Sequence, residues 1–215
     1  MKGCHRSTRR FANGALFFEA AGTHSVPATR TSTRIATPAP MEEAYTEMLT
    51  RVPNLRPAPT LEFYDDLHGF GGLFMAEPWV VAVGQKDIET IADQLLSTRH
   101  LEVARVAREL GAARNVNVTS IRTVLLGSAM ARCIAHELGH AMLYCGFHNP
   151  YAPDEEAGAD YYAGRLDASR RIDWRLGEMF FRSIGCVGPT CTHPTPANRS
   201  SAYVTGYNEQ YSKAA

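Results

Sequence analysis

The segment Cys133-Ile134-Ala135-His136-Glu137-Leu138-Gly139-His140-Ala141-Met142-Leu143-Tyr144-Cys145 sets two histidines four residues apart, with a glutamate directly after the first. On an α-helix, positions four apart lie about 40° from each other around the axis and about 6 Å along it, so both imidazoles leave the same face and can grip one metal ion. Glu137 is rotated by about 100° from His136. That places it poorly as a third ligand but well for reaching a water on the ion. The arrangement is that of a zinc hydrolase. The structural alternative is a buried helix whose two histidines are each satisfied by a carbonyl or a water.

Ser120 is a plausible cap for the helix that carries this segment, and Gly146 follows Cys145 as a natural terminator. Downstream, Phe147 to Pro153 is turn-rich, and Asp154, Glu155 and Glu156 open a second helix with the negative charge that the macrodipole favours there, running to about Ser169. A catalytic zinc has three protein ligands and an open position for water. Glu156 is the candidate third ligand. Asp160, four residues on, can hydrogen-bond the far nitrogen of a ligand histidine, the outer-shell carboxylate that such sites use. Glu155 is offset from that face and reads as a solvated charge of the first turn.

Before these helices, Met41, Tyr45, Met48, Leu49 and Val52 recur at helical spacing up to Pro53, and the proline-rich stretch to Thr60 reads as a linker. Leu61 to Leu67 reads as a strand. Gly69 to Met75 and Trp79 to Val83 read as two more strands joined around Ala76-Glu77-Pro78, the glycine-rich one at a sheet edge. Asp87 is the expected cap of a helix bearing Ile88, Ile91, Leu95 and Leu96, with a further helical segment from about Leu101 to Leu110. Asp173 to Ser183 reads as another helix, and Thr195-Pro196 starts a last one reaching to about Tyr207. The pattern is α+β, mostly helical, with a small antiparallel sheet. Trp79, Trp174, Phe180 and Phe181 fall at periodic positions and read as core, whereas Tyr161 or Tyr162 could line a cleft.

Formal charge is balanced over the 215 residues. Residues 1–40 carry Lys2, Arg6, Arg9, Arg10, Arg30 and Arg34 against Glu19, a net of +5, which leaves −5 for residues 41–215. The acidic balance of the main part argues against nucleic acid as a partner. Residues 1–40 read as a disordered or targeting-like extension and residues 41–215 as the folded domain. No apolar run is long enough for an integral membrane segment. The expected location is cytoplasmic, with export as the alternative. None of the five cysteines forms a Cys-x-x-Cys pair, and Cys186 and Cys191 read either as a small disulfide or as reduced thiols.

The sequence resembles the prenyl-protease and HtpX-like family of gluzincin zinc metallopeptidases. His136-Glu137-Leu138-Gly139-His140 matches their zinc motif, Glu156-Ala157-Gly158-Ala159-Asp160 is similar to their Glu-x-x-Ala-Asp element, and Thr192-His193-Pro194 followed by Arg199 is similar to a late element of the family. The resemblance, over about Leu61 to Tyr207, implies a zincin-like metallopeptidase fold. It implies one Zn2+ per chain on His136, His140 and Glu156, and Glu137 as general base of an endopeptidase acting on a protein or peptide substrate. It also implies an edge strand, here Gly69 to Met75, that receives the substrate in extended form. His193 and Arg199 become candidate partners of the tetrahedral oxyanion, with a salt bridge to Asp160 as the other role open to Arg199. Well-studied members are embedded in membranes and carry an Asn-Ala pair in the edge region, and this chain has neither feature. Two further functions fit the same zinc helix: a catalytically silent zinc-binding regulatory or adaptor domain, and a regulatory peptidase that cleaves a repressor.

Overall fold

Helices account for most of the chain in the computed structural model, which describes residues 8–10, 16–18, 30–113, 120–184 and 194–214. Three short strands, β1 (Thr8–Arg10), β2 (Leu16–Phe18) and β3 (Arg30–Ser32), pair antiparallel in that order. β4 (Arg34–Ile35) then joins β5 (Thr60–Tyr64), β6 (Gly72–Met75) and β7 (Val80–Gly84) in a second sheet of order β4-β5-β7-β6. The second sheet is mixed: β5 and β7 run parallel, and both edges are antiparallel. The small sheet expected from the sequence thus has antiparallel edges, with a parallel pair at its centre. The linker between α1 (Ala39–Thr50) and β5 brings the chain back alongside β4, and a crossover through β6 aligns β7 with β5.

Arg34 and Ile35 pair with Tyr64 and Phe63, and α1 begins at Ala39. α1 starts there because Pro38 to Pro40 lack most of the amides that a helix N-terminus leaves unpaired.

The two helical segments expected after β7 form one element, α2 (Gln85–Ala113), broken at Arg99, where the backbone leaves helical geometry. Asp87 lies in its first turn. Instead of capping it, the carboxylate accepts from the amides of Leu67 and Gly69 at 2.6 and 2.7 Å and ties down the β5–β6 loop. That interaction ends β5 at Tyr64, short of Leu67.

α3 (Ile121–Tyr144) is capped by Ser120, whose hydroxyl accepts from the Thr123 amide, and every residue from Ala129 to Gly139 is buried. It is apolar nearly all round because it runs through the middle of the core, with α1, the second sheet, α4 (Glu155–Ser169) and α5 (Trp174–Ser183) packed about it. α4 is capped by Asp154 and α5 by Asp173, each accepting an amide of its own first turn. The last helix, α6 (Pro196–Ala214), continues well past Tyr207, held by Arg165 on Gln210, Tyr161 on Glu209 and the stacked rings of Tyr207 and Tyr211. Phe180 and Phe181 are core residues, but Trp174, at the start of α5, is 40% exposed. Among the described residues, no helix is long and apolar enough to cross a membrane.

Candidate metal centre

Everything at the site depends on how closely α3 and α4 approach. A Cβ added to Gly139 would stand 2.6 Å from the Ala159 carbonyl oxygen and 2.8 Å from its Cα, so the two backbones touch at this point. Only glycine lets helices meet there. The contact lies one residue before His140 and one residue before Asp160, and it sets the first turn of α4 directly against the histidine face of α3.

Three nitrogen and oxygen donors converge as a result. His136 Nε2 and His140 Nε2 are 3.1 Å apart, Glu156 Oε2 is 3.3 Å from the first, and Glu156 Oε1 is 3.5 Å from the second. Four ligands at about 2.0 to 2.1 Å around a tetrahedral ion are separated by about 3.3 to 3.4 Å along each edge. The two histidine nitrogens and the two Glu156 oxygens are thus spaced much as neighbouring ligands of one ion are, and the group could hold a metal ion. Glu155 is exposed, as its place in the first turn suggests.

Asp160 sits behind the ligands. Its fully buried carboxylate lies 2.7 Å from His136 Nδ1, which turns Nε2 of the same ring toward His140 and Glu156. Arg199, buried on α6, grips the same carboxylate with two hydrogen bonds of 2.8 Å, from Nε to Oδ2 and from Nη2 to Oδ1. Arg199 thus forms an ion pair with Asp160, and its Nη2 also lies 3.7 Å from Glu156 Oε2. His193 lies outside the described residues, as do Cys186 and Cys191.

The electrostatics follow from this crowding. Burial works against a charge on His136, but Asp160 and Glu156 outweigh it and raise the pKa to about 10. Burial and the neighbouring charge of His136 lower His140 to about 4. Although burial alone would raise it, Glu156 is held well below the usual carboxylate range by its hydrogen bond to His136 and the surrounding positive charges. At neutral pH the charge therefore falls on His136, while His140 stays neutral and Glu156 ionised.

Glu137, next to His136 on α3, lies against β6. A Cβ on Gly72 would lie 2.7 Å from its Oε1 and 2.4 Å from Cys133 Sγ, so the edge strand lies flush on this carboxylate. The Phe74 amide is hydrogen-bonded to it, and burial raises its pKa to about 7. β6 is indeed at a sheet edge, though it is shorter than the Gly69 to Met75 stretch read from the sequence. Tyr161 and Tyr162 do not line this cleft: both are buried, with their hydroxyls donating to Glu209 and to the His148 carbonyl.

Sequence reasoning missed a second buried ionic layer one turn below the first. Arg132 lies 2.9 Å from Asp167, whose Oδ2 also accepts from the Tyr203 hydroxyl at 2.7 Å. The spacing does contain a signal, since Arg132, Asp167 and Tyr203 stand four, seven and four residues from His136, Asp160 and Arg199 on the same three helices. Comparison with protein-family models, with curated proteins and with solved structures finds no match for this chain.

Proposed function

We propose that the chain is a zinc-dependent endopeptidase of zincin-like fold, of the kind represented by the prenyl-protease and HtpX-like gluzincins. One observation carries the reading: beside the His136, His140 and Glu156 group, which could hold a metal ion, stands a buried carboxylate, Glu137, that takes no part in the group and lies against β6, an edge strand among the described residues. A purely structural zinc site needs no such base.

His136, His140 and Glu156 would hold the ion, with Asp160 and Arg199 fixing the orientation of the His136 ring. Bound there, zinc supplies an acidified water and polarises the scissile carbonyl. Glu137 takes a proton from the attacking water and passes it to the departing amine, and a pKa near 7 suits both transfers at neutral pH. The outward-facing backbone of β6 holds the substrate extended across this carboxylate by strand pairing.

The test is Glu137→Gln in the full chain. One zinc per chain by elemental analysis, together with a fall of about a hundredfold or more in cleavage of unfolded casein, is the expected result. A zinc-loaded wild-type chain that cuts neither casein nor a mixed peptide library would overturn the peptidase reading and leave a zinc-binding regulatory domain.

A further inference from the structure

Phe74, Trp79 and Tyr144 form a closed cluster beside the candidate site. Their ring centroids are 5.0 Å apart for Phe74 and Trp79, 5.9 Å for Phe74 and Tyr144, and 5.8 Å for Trp79 and Tyr144. Tyr144 is 67% exposed, an unusual position for a ring in contact with two other aromatic residues. The Trp79 indole N–H is used internally, donating to the Pro57 carbonyl at 2.7 Å, so the indole is pinned and what it offers its surroundings is apolar ring.

Two lengths connect the cluster to the chemistry. In an antiparallel ladder alternate residues turn their polar backbone groups to the neighbouring strand. Gly71 accepts from Gly84, while Gly72 is opposite Val83 and Phe74 opposite Val81, so the backbone groups of Gly72 and Phe74 point away from β7; the Phe74 amide is taken by Glu137, which leaves strand pairing to Gly72 and to the Phe74 carbonyl. A substrate residue lying over Gly72 is then next to Glu137, and the side chain two residues along, about 7 Å away, falls on Phe74. On α3, Tyr144 stands one turn, about 6 Å, beyond the ligand His140 and on nearly the same face. The substrate step and the helix step therefore arrive at the same three rings.

We propose that Phe74, Trp79 and Tyr144 form a specificity subsite that takes a bulky apolar or aromatic side chain, two residues along the substrate from the one over Gly72. This rests on the peptidase reading above. The cluster carries no charged group, and its rings offer edge-to-face and stacking contacts that a polar side chain cannot use.

The test measures binding apart from cleavage. The probe protein is the zinc-loaded full chain carrying Glu137→Gln and Trp174→Phe, which leaves Trp79 as the sole indole. The ligands are two short acetylated and amidated peptides of alanine and lysine that differ only at the central residue, Phe in one and Ser in the other. Titration followed by Trp79 emission is expected to show the Phe peptide binding about tenfold more tightly, with the preference reduced to threefold or less in Tyr144→Ser. Equal affinities, including binding of neither peptide, would overturn the subsite, as would a preference that survives Tyr144→Ser. A chain with intact Glu137 that cuts nothing yet retains the preference would refute the peptidase reading alone, whereas cleavage with no preference at any position near the cut would refute the subsite alone.

Discussion

Adding a single methyl group at Gly139 should abolish tight metal binding without unfolding the protein. In Gly139→Ala the new carbon would sit 2.8 Å from Ala159 Cα and 2.6 Å from its carbonyl oxygen. Carbon atoms in contact prefer about 3.5 Å or more, so α3 and α4 must part by about 0.7 Å. Both obstructing atoms are backbone and cannot rotate aside. Glu156 rides on α4, one turn from the contact, and the same shift would stretch its 3.3 and 3.5 Å approaches to His136 and His140 toward 4 Å. Zinc bonds tolerate errors of about 0.2 Å, so one of the three ligands is lost or badly strained and affinity should fall on the order of a hundredfold. The overpacking itself costs about 1–3 kcal/mol, which a domain with this core survives. Competition against a chromophoric chelator gives the affinity, and thermal denaturation gives the stability. Gly127→Ala is the matched control, because a Cβ at this position of the same helix meets nothing within 4 Å, and it should bind zinc as the wild type does. Zinc affinity within threefold of wild type in Gly139→Ala would refute the claim that this contact sets the spacing of the ligands.

Three further outcomes are expected. Asp160→Asn weakens zinc binding by about ten- to a hundredfold, because the His136 ring loses the carboxylate that orients it and Arg199 is left buried beside a neutral amide; chelator competition measures this. Metal uptake near neutral pH expels the proton that Asp160 and Glu156 keep on His136, whose pKa is about 10, so apparent affinity rises with pH by about tenfold per unit from pH 7 to 9; calorimetry in buffers of different ionisation enthalpy should show one proton released. Arg132→Met destabilises the fold by about 3 kcal/mol in urea titration, since it leaves the fully buried Asp167 with only the more distant guanidinium of Arg170, 3.8 Å away, and the double variant Arg132→Met, Asp167→Leu recovers much of that loss.

The convergence of His136, His140, Glu156 and Asp160 was legible in the sequence because it depends on local geometry. Spacings of four residues between His136 and His140, and again between Glu156 and Asp160, fix directions on a helix whatever the rest of the chain does. Helix starts at Ser120, Asp154 and Asp173 could be read for the same reason, since a cap is a contact within one turn. What depended on distant partners could not be read. Asp87 has the spacing of a cap but is recruited by the amides of Leu67 and Gly69, about twenty residues earlier in the chain, and the parallel pairing of β5 with β7 cannot be inferred from either strand alone. Nor does a helical period show that a position such as Trp174 points outward, because the period gives a face and not its neighbour. The importance of Gly139 for spacing was hidden behind its membership of a motif: the sequence shows a glycine there, but not the carbonyl it accommodates.

The Arg132, Asp167 and Tyr203 layer has a consequence for how the chain selects one fold among near neighbours. Buried ions add little net stability over a well-filled apolar replacement, because desolvation consumes most of the attraction. Their penalty when mismatched is large, however. If α4 slid by one turn against α3 and α6, Asp160 would part from Arg199 and Asp167 from Arg132 together, leaving mismatched charges in a dry interior. Two rungs locked at once make the correct axial alignment the sole affordable one, so the helices that carry the ligands are brought into register by the lower rung as well as by the ligands themselves.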